Sequence, residues 1–119
     1  MKIIIAGSRD LYPTFELIHS SLVLFGINKL ITEVICGGAE GVDTEGDYYA
    51  SHMALSVKYF PADWNEHGKA AGPRRNKEMA DYSDALLLIW DGKSKGSSNM
   101  KDNMLKLKKP IYEVILRKL

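Results

Sequence analysis

Short, continuously apolar runs alternate along this chain with longer stretches in which apolar residues recur three or four positions apart. Ile3-Ile4-Ile5-Ala6 is the first short run, ended by Gly7-Ser8-Arg9-Asp10. Such a run, apolar toward both sides, suits a strand covered on both faces. Leu30 to Cys36 predicts a second strand, and Ser56 to Phe60 a short third one stopped by Pro61. Ala85-Leu86-Leu87-Leu88-Ile89-Trp90 is another run of the buried type, closed by Asp91-Gly92, and Ile111 to Leu116 follows Pro110 as the last. Between the first two strands, Phe15, Ile18, Leu22 and Phe25 sit at near-helical spacing, with Pro13 and Thr14 at the start and Gly26 at the end. Asp43 to Ala54, Ala70 to Tyr82 (with Pro73 near its start) and Ser98 to Leu107 predict three more helices. Strand and helix therefore alternate throughout. Parallel neighbours need crossovers, so the pattern predicts an α/β fold: a mainly parallel sheet of about five strands between two helix layers. Residues 1–119 are expected to form a single domain, with no internal repeat, linker or low-complexity tract.

Composition adds exclusions more than functions. A hydrophobic content of 45% and a charged content of 26% are ordinary for a globular protein. The formal net charge of +1 gives no global attraction to nucleic acid or anionic membrane. The C-terminal lysines, Lys93, Lys95, Lys101, Lys106, Lys108 and Lys109, read as solvated helix faces. Lys69, Arg74, Arg75 and Lys77 differ because they sit among glycines and a proline. A single cysteine excludes an internal disulfide and a cysteine-rich metal site, and Cys36, at a strand end, reads as a buried small hydrophobe rather than a nucleophile. His19, His52 and His67 lack metal-ligand spacing, so neither metal nor cofactor is expected. No apolar run approaches the roughly 20 residues of a membrane helix, and Met1 to Ile5 is too short for a signal peptide, so a cytoplasmic location is expected.

The candidate chemistry lies where strands end, because ligands of open parallel sheets sit outside the carboxyl ends of the strands. Leu30 to Ile35 leads into Gly37-Gly38-Ala39-Glu40-Gly41-Val42-Asp43, which places three glycines within five residues. Strand, glycine turn, helix is a geometry that aims backbone N–H groups and a helix dipole at an anion. The spacing matches neither the dinucleotide fingerprint nor the P-loop. Asp43 suits either a helix N-cap or an acceptor for sugar hydroxyls. In Gly7-Ser8-Arg9, Ser8 offers a hydroxyl and Arg9 a planar fork for phosphate, although the segment also suits a plain turn. Phe60-Pro61-Ala62-Asp63-Trp64, then Gly68-Lys69-Ala70-Ala71-Gly72-Pro73-Arg74-Arg75-Asn76, forms a polar loop entering a helix. There Arg75 and Asn76 suit a phosphate and a base or sugar edge, and Trp64 suits either stacking or surface packing. Asp91-Gly92-Lys93-Ser94-Lys95-Gly96-Ser97-Ser98 again leads into a helix: Gly96, Ser97 and Ser98 form a second candidate phosphate cradle, with Ser98 equally suited to an N-cap.

Taken in order, these segments, together with Met79 and Ser83-Asp84-Ala85, resemble the small YspA-like branch of the SLOG superfamily over nearly the whole chain. The resemblance implies a Rossmann-like three-layer fold and a nucleotide or nucleotide-derived ligand. It also implies distant similarity to LOG-type phosphoribohydrolases and to the DNA-processing DprA proteins. Gly37 to Gly41, and Arg75 with Met79, are similar to LOG-type motifs, whereas the place of the LOG-type glutamate falls on Met100. Methionine cannot supply the carboxylate that glycosidic cleavage needs. The leading expectation is a binding module for a nucleotide-derived small molecule. Its ligand set is Gly7, Ser8, Arg9, Gly37, Gly38, Ala39, Gly41, Asp43, Asp63, Trp64, Lys69, Arg75, Asn76, Asp91, Gly96, Ser97 and Ser98. The alternatives are a hydrolase of a nucleotide N-glycosidic bond using Asp43 or Glu45, and a single-stranded nucleic-acid binder using Lys69, Arg74, Arg75 and Lys77. A homo-oligomer is expected, since compact domains of this type often complete a site between subunits.

Overall fold

A computed structural model describes residues 1–117. Its five strands are β1 (Lys2–Gly7), β2 (Glu33–Cys36), β3 (Ser56–Tyr59), β4 (Ala85–Trp90) and β5 (Ile111–Ile115). They form one sheet in the order β3-β2-β1-β4-β5, with every neighbouring pair parallel. The crossovers carry helices α1 (Phe15–Leu24), α2 (Val42–His52), the short α3 (Trp64–His67), α4 (Ala71–Tyr82) and α5 (Lys95–Lys106). This is the expected α/β, Rossmann-like arrangement. No helix among the described residues is long and apolar enough to cross a membrane.

The period-2 alternation of each strand sorts its side chains between two cores. Ile3 and Ile5 of β1 pack with Ile18 and Leu22 of α1 and Tyr49 and Ala50 of α2. Ile4 and Ala6 pack on the other face with Met79 of α4 and Met100 and Met104 of α5. Central β1 and β4 are therefore apolar toward both faces, whereas edge strand β3 (Ser-Val-Lys-Tyr) is largely exposed. Two polar ties lock the periphery. The Lys109 Nζ donates to the carbonyls of Ala80, Asp81 and Ser83 at 2.7, 3.0 and 2.6 Å, closing the C-terminal end of α4. The Trp90 Nε1 donates to Glu113, which also pairs with Lys101, joining β4, β5 and α5.

Several boundaries differ from the sequence reading, each for a local reason. The second strand begins at Glu33 rather than Leu30, because Leu30 N–H turns back to the Ile27 carbonyl. Helix α2 stops at His52, and Ala54 takes a left-handed φ of 55° that no helix continues through. Residues 61–70 contain α3 and a 3-10 turn, Gly68–Ala70, in place of the plain loop expected from the sequence; the Asp63 carboxylate accepts the Glu66 N–H at 3.0 Å and caps α3. The last helix begins at Lys95, three residues before the expected Ser98. The Asp91 carboxylate takes the N–H groups of Lys93 and Ser94 at 2.8 and 3.0 Å and turns the chain into the helix early.

Candidate functional site

The carboxyl ends of β1, β2 and β4 meet at one edge of the sheet, and the chain's direction of winding reverses between β1 and β4. The two strands approach closely there. A Cβ on Gly7 would lie 1.7 Å from the Ile89 carbonyl oxygen, so only glycine fits. Ser8 N–H donates to that carbonyl, and Ser8 Oγ accepts the Asp91 N–H, both at 3.2 Å. Ser8 is thus buried and ties two turns together.

The glycine turn after β2 is organised by a side chain rather than left free for a ligand. Gly41 has a φ of 76°, and a Cβ on it would lie 2.4 Å from the Ser8 carbonyl. It occupies the N-cap position of α2, so Asp43 falls in the first turn and is not the cap. The Asp43 side chain folds back beneath the turn, 6% exposed, with its carboxylate against the Gly37 backbone and near the N–H groups of Ala39, Gly37 and Gly7. Burial raises its pKa from 3.8 to about 6, against the lowering effect of Arg75 and of these N–H groups. The carboxylate fills a nest of amides that otherwise suits a phosphate. The expected cradle at Gly37, Gly38, Ala39 and Gly41 therefore already has an internal carboxylate beside its Gly37 and Ala39 amides.

Arg75 and Asn76 are likewise engaged. Arg75 Nη1 donates to the Gly37 carbonyl and Nε to Asn76 Oδ1 at 3.1 Å. A Cβ on Gly37 would sit 2.6 Å from Nη1 and 3.1 Å from Asp43 Oδ2, so that glycine makes room for the pair. Burial lowers the Arg75 pKa, Asp43 opposes this, and Arg9 adds to it. Asn76 Nδ2 donates to the Gly96 carbonyl at 3.2 Å and to Asn99 Oδ1 at 3.0 Å, bridging α4 to α5. Its amide is thus spent on the protein rather than on a base. Asp91 is held below the ordinary carboxylate range, chiefly by the N–H groups of Lys93 and Ser94, and shapes the loop before α5.

The N-terminus of α5 is differently placed. Among the described residues, the N–H groups of Lys95, Gly96 and Ser97 meet no acceptor, as helix geometry leaves them, and Ser94 supplies no side-chain cap. Ser97 Oγ is buried, with the residue 4% exposed, and has no hydrogen-bond partner among the described residues. Gly96 and Ser97 line a cleft of about 310 Å³ with Arg9, Asp43 and Arg75, floored by Ala6, Met79 and Met100. Ser98 lies outside the cleft lining, and its N–H is consumed by the Ser94 carbonyl at 3.0 Å.

Two further clefts adjoin. One of about 520 Å³ runs past Gly37, Gly38, Glu40, Pro61 and Trp64. The other, of about 240 Å³, lies between Trp64, Gly72, Pro73, Lys95 and Asn99. Arg9 and Arg75 line all three. Arg9 is exposed and makes no hydrogen bond among the described residues, so it is the guanidinium available to a ligand. The structure thus brings Gly7, Ser8, Arg9, Gly37, Gly38, Ala39, Asp43, Trp64, Arg75, Asn76, Gly96 and Ser97 to one groove. Asp91 lines a separate cleft with Asp10, Leu11, Lys93 and Arg117. Glu45, Asp63 and Lys69 line none of these clefts. Sequence reasoning passed over Asp10, Lys95 and Asn99. Asp10 and Lys95 lie within turns the sequence marks, Lys95 having been read as a solvated helix face, and Asn99 directly follows one; only the spatial closure of three turns brings them to the groove. Cys36 is buried at the end of β2, and its thiol is pushed up to about 12 by burial, then by Asp43 and Asp47, so it is no nucleophile.

No family model matches the sequence, and no curated protein matches it. Among solved structures, DNA processing protein A (DprA) from Streptococcus pneumoniae superposes over 99% of this chain with a TM-score of 0.75 and 14% identity. The chain shares its fold with part of DprA. It spans about half of that protein, 51% of its chain, so the likeness speaks for the α/β core alone.

Proposed function

We propose that the chain binds the phosphate end of a nucleotide-derived small molecule, and that it is a SLOG-type binding module with a YspA-like motif order. One observation carries this: the buried, unpartnered Ser97 hydroxyl stands in the first turn of α5, beside free helix amides, in a cleft overlooked by Arg9. A buried hydroxyl left unpaired costs about 1–3 kcal/mol, and a phosphate oxygen removes that cost while also meeting the helix dipole. Binding is favoured over N-glycosidic hydrolysis. Glu45 lies away from the groove, Asp43 is buried beneath the turn with its carboxyl raised in pKa by that burial, and Met100 lines the cleft.

The test is calorimetric titration with AMP and with adenosine. AMP is expected to bind at least about tenfold more tightly, a difference of ~1.4 kcal/mol. Ser97→Ala and Arg9→Ala should each remove most of that difference. Ser97→Ala leaves no partner stranded, so it should fold as well as the parent. Equal binding of AMP and adenosine, or variants indistinguishable from the parent, would refute the proposal.

A second reading, single-stranded nucleic acid, is favoured by the fold shared with a DNA-processing protein and by the exposed Trp64 beside Arg9 in an open groove. It requires tighter binding of a short oligonucleotide than of AMP, with an affinity that falls steeply with salt.

A further inference from the structure

We propose that residues 61–70 form a closing strap whose Trp64 stacks on the ring of the ligand, so that the site selects phosphoesters bearing a planar base over plain sugar phosphates. This rests on the phosphate site proposed above and names what the ligand carries beyond its phosphate.

Trp64 is 51% exposed and stands between the two outer clefts, lining both. Its ring edge lies over α4 where Gly72 has no side chain: a Cβ there would be 3.4 Å from Cη2. Pro61 in one of these clefts and Pro73 in the other add flat apolar surface beside the polar lining of Arg9, Arg75 and Asn99. A large aromatic face offered to an open groove is what a base covers, and base–aromatic stacking contributes without reading sequence. The Arg9 and Arg75 guanidiniums lie on the lining of all three clefts, so a phosphate at α5 and a ring at Trp64 belong to one continuous groove.

The segment is also built to move. No residue from 61 to 70 is buried. Its hydrogen bonds stay local: Glu66 and His67 N–H groups to Asp63, Gly68 N–H to the Trp64 carbonyl, and Ala71 N–H to the Gly68 carbonyl. Among the described residues none ties it to the sheet or to α5. Few buried contacts and self-contained hydrogen bonds are the marks of a segment with a low opening free energy. A ring bound against Trp64 supplies the apolar contact that the strap lacks.

The experiment compares AMP with ribose 5-phosphate on the whole chain, by calorimetry and by tryptophan fluorescence. Trp90, buried and bonded to Glu113, gives a constant background. AMP is expected to quench emission and ribose 5-phosphate to leave it unchanged, with the quench absent in Trp64→Phe. The parent should prefer AMP by at least about tenfold. Trp64→Ala should bring that preference to within about twofold while ribose 5-phosphate affinity stays unchanged. Equal affinities for the two probes in the parent, or a preference that survives Trp64→Ala, would overturn the strap and leave the phosphate site standing. Binding of neither probe would overturn the phosphate site and the strap together.

Discussion

Replacing Asp43 by asparagine tests how the site is held together. In the folded chain the carboxyl titrates at about 6 instead of 3.8, because burial outweighs Arg75 and the amides of Ala39, Gly37 and Gly7. At about 1.36 kcal/mol per unit, the ionised form is about 3 kcal/mol less favourable to folding than the protonated form. The sign follows from the protons bound. Between 3.8 and about 6 the folded chain holds the Asp43 proton and the unfolded chain does not. Stability from this group is therefore present at acid pH and lost as pH rises through that window. The asparagine side chain cannot ionise, so its contribution does not change with pH. It also turns an NH2 toward backbone N–H groups, at a cost of about 1–3 kcal/mol. Urea unfolding of both proteins from about pH 4 to about pH 7 gives the difference curve, from which other titrating groups cancel. The Asp43→Asn variant should be weaker than the parent at the acid end, and the difference should shift in the variant's favour by about 2–3 kcal/mol toward neutrality. A gap that stays constant, or widens with pH, would refute the placement of Asp43 as a buried, charge-strained anchor.

Two further substitutions probe the ends of the same helix layer. Gly96→Ala adds a Cβ that meets nothing within 4 Å. It should stabilise α5 by about 0.5–1 kcal/mol in denaturant melts while weakening AMP binding, because the methyl group enters the cleft. A gain in stability with unchanged AMP affinity would remove the α5 N-terminus from the binding site. Lys109→Met strips three carbonyl contacts from the end of α4 and should lower stability by about 1–2 kcal/mol, with AMP affinity unchanged. An unchanged midpoint would show that the staple does not hold in solution.

The sheet was legible because its information is local. Ile3 to Ala6 and Ala85 to Trp90 are apolar toward both faces only because β1 and β4 are central, and periodicity alone conveys that. The helix ends were less legible. Lys95 begins α5 because Asp91 captures two amides, a choice made by one carboxylate rather than by the pattern. The glycine turns were only half legible. Glycine spacing marked both turns, yet whether a turn's amides are free depends on what folds back onto them. Asp43 fills the first turn, and nothing in the motif's own residues distinguishes an internal anion from an expected external one. Arg75 illustrates the same limit: a cation near glycines suits a phosphate clamp, but its partner is the carbonyl of Gly37, 38 positions away. The lone hydroxyl of Ser97 is visible only once α5 is packed.

The Lys109 staple has a kinetic corollary for the layer that carries the site. It fastens the last turn of α4 to the chain entering β5, whereas the first turn of α4 continues from residues 61–70, which have no buried anchor. Amide hydrogen exchange should therefore be slow along α4, which Arg75 and Asn76 also hold nearer its start, and fast in the segment before it, residues 61–70. A helix held along its length beside a segment with no buried anchor confines motion to residues 61–70, so movement of that segment need not be coupled to loosening of the sheet.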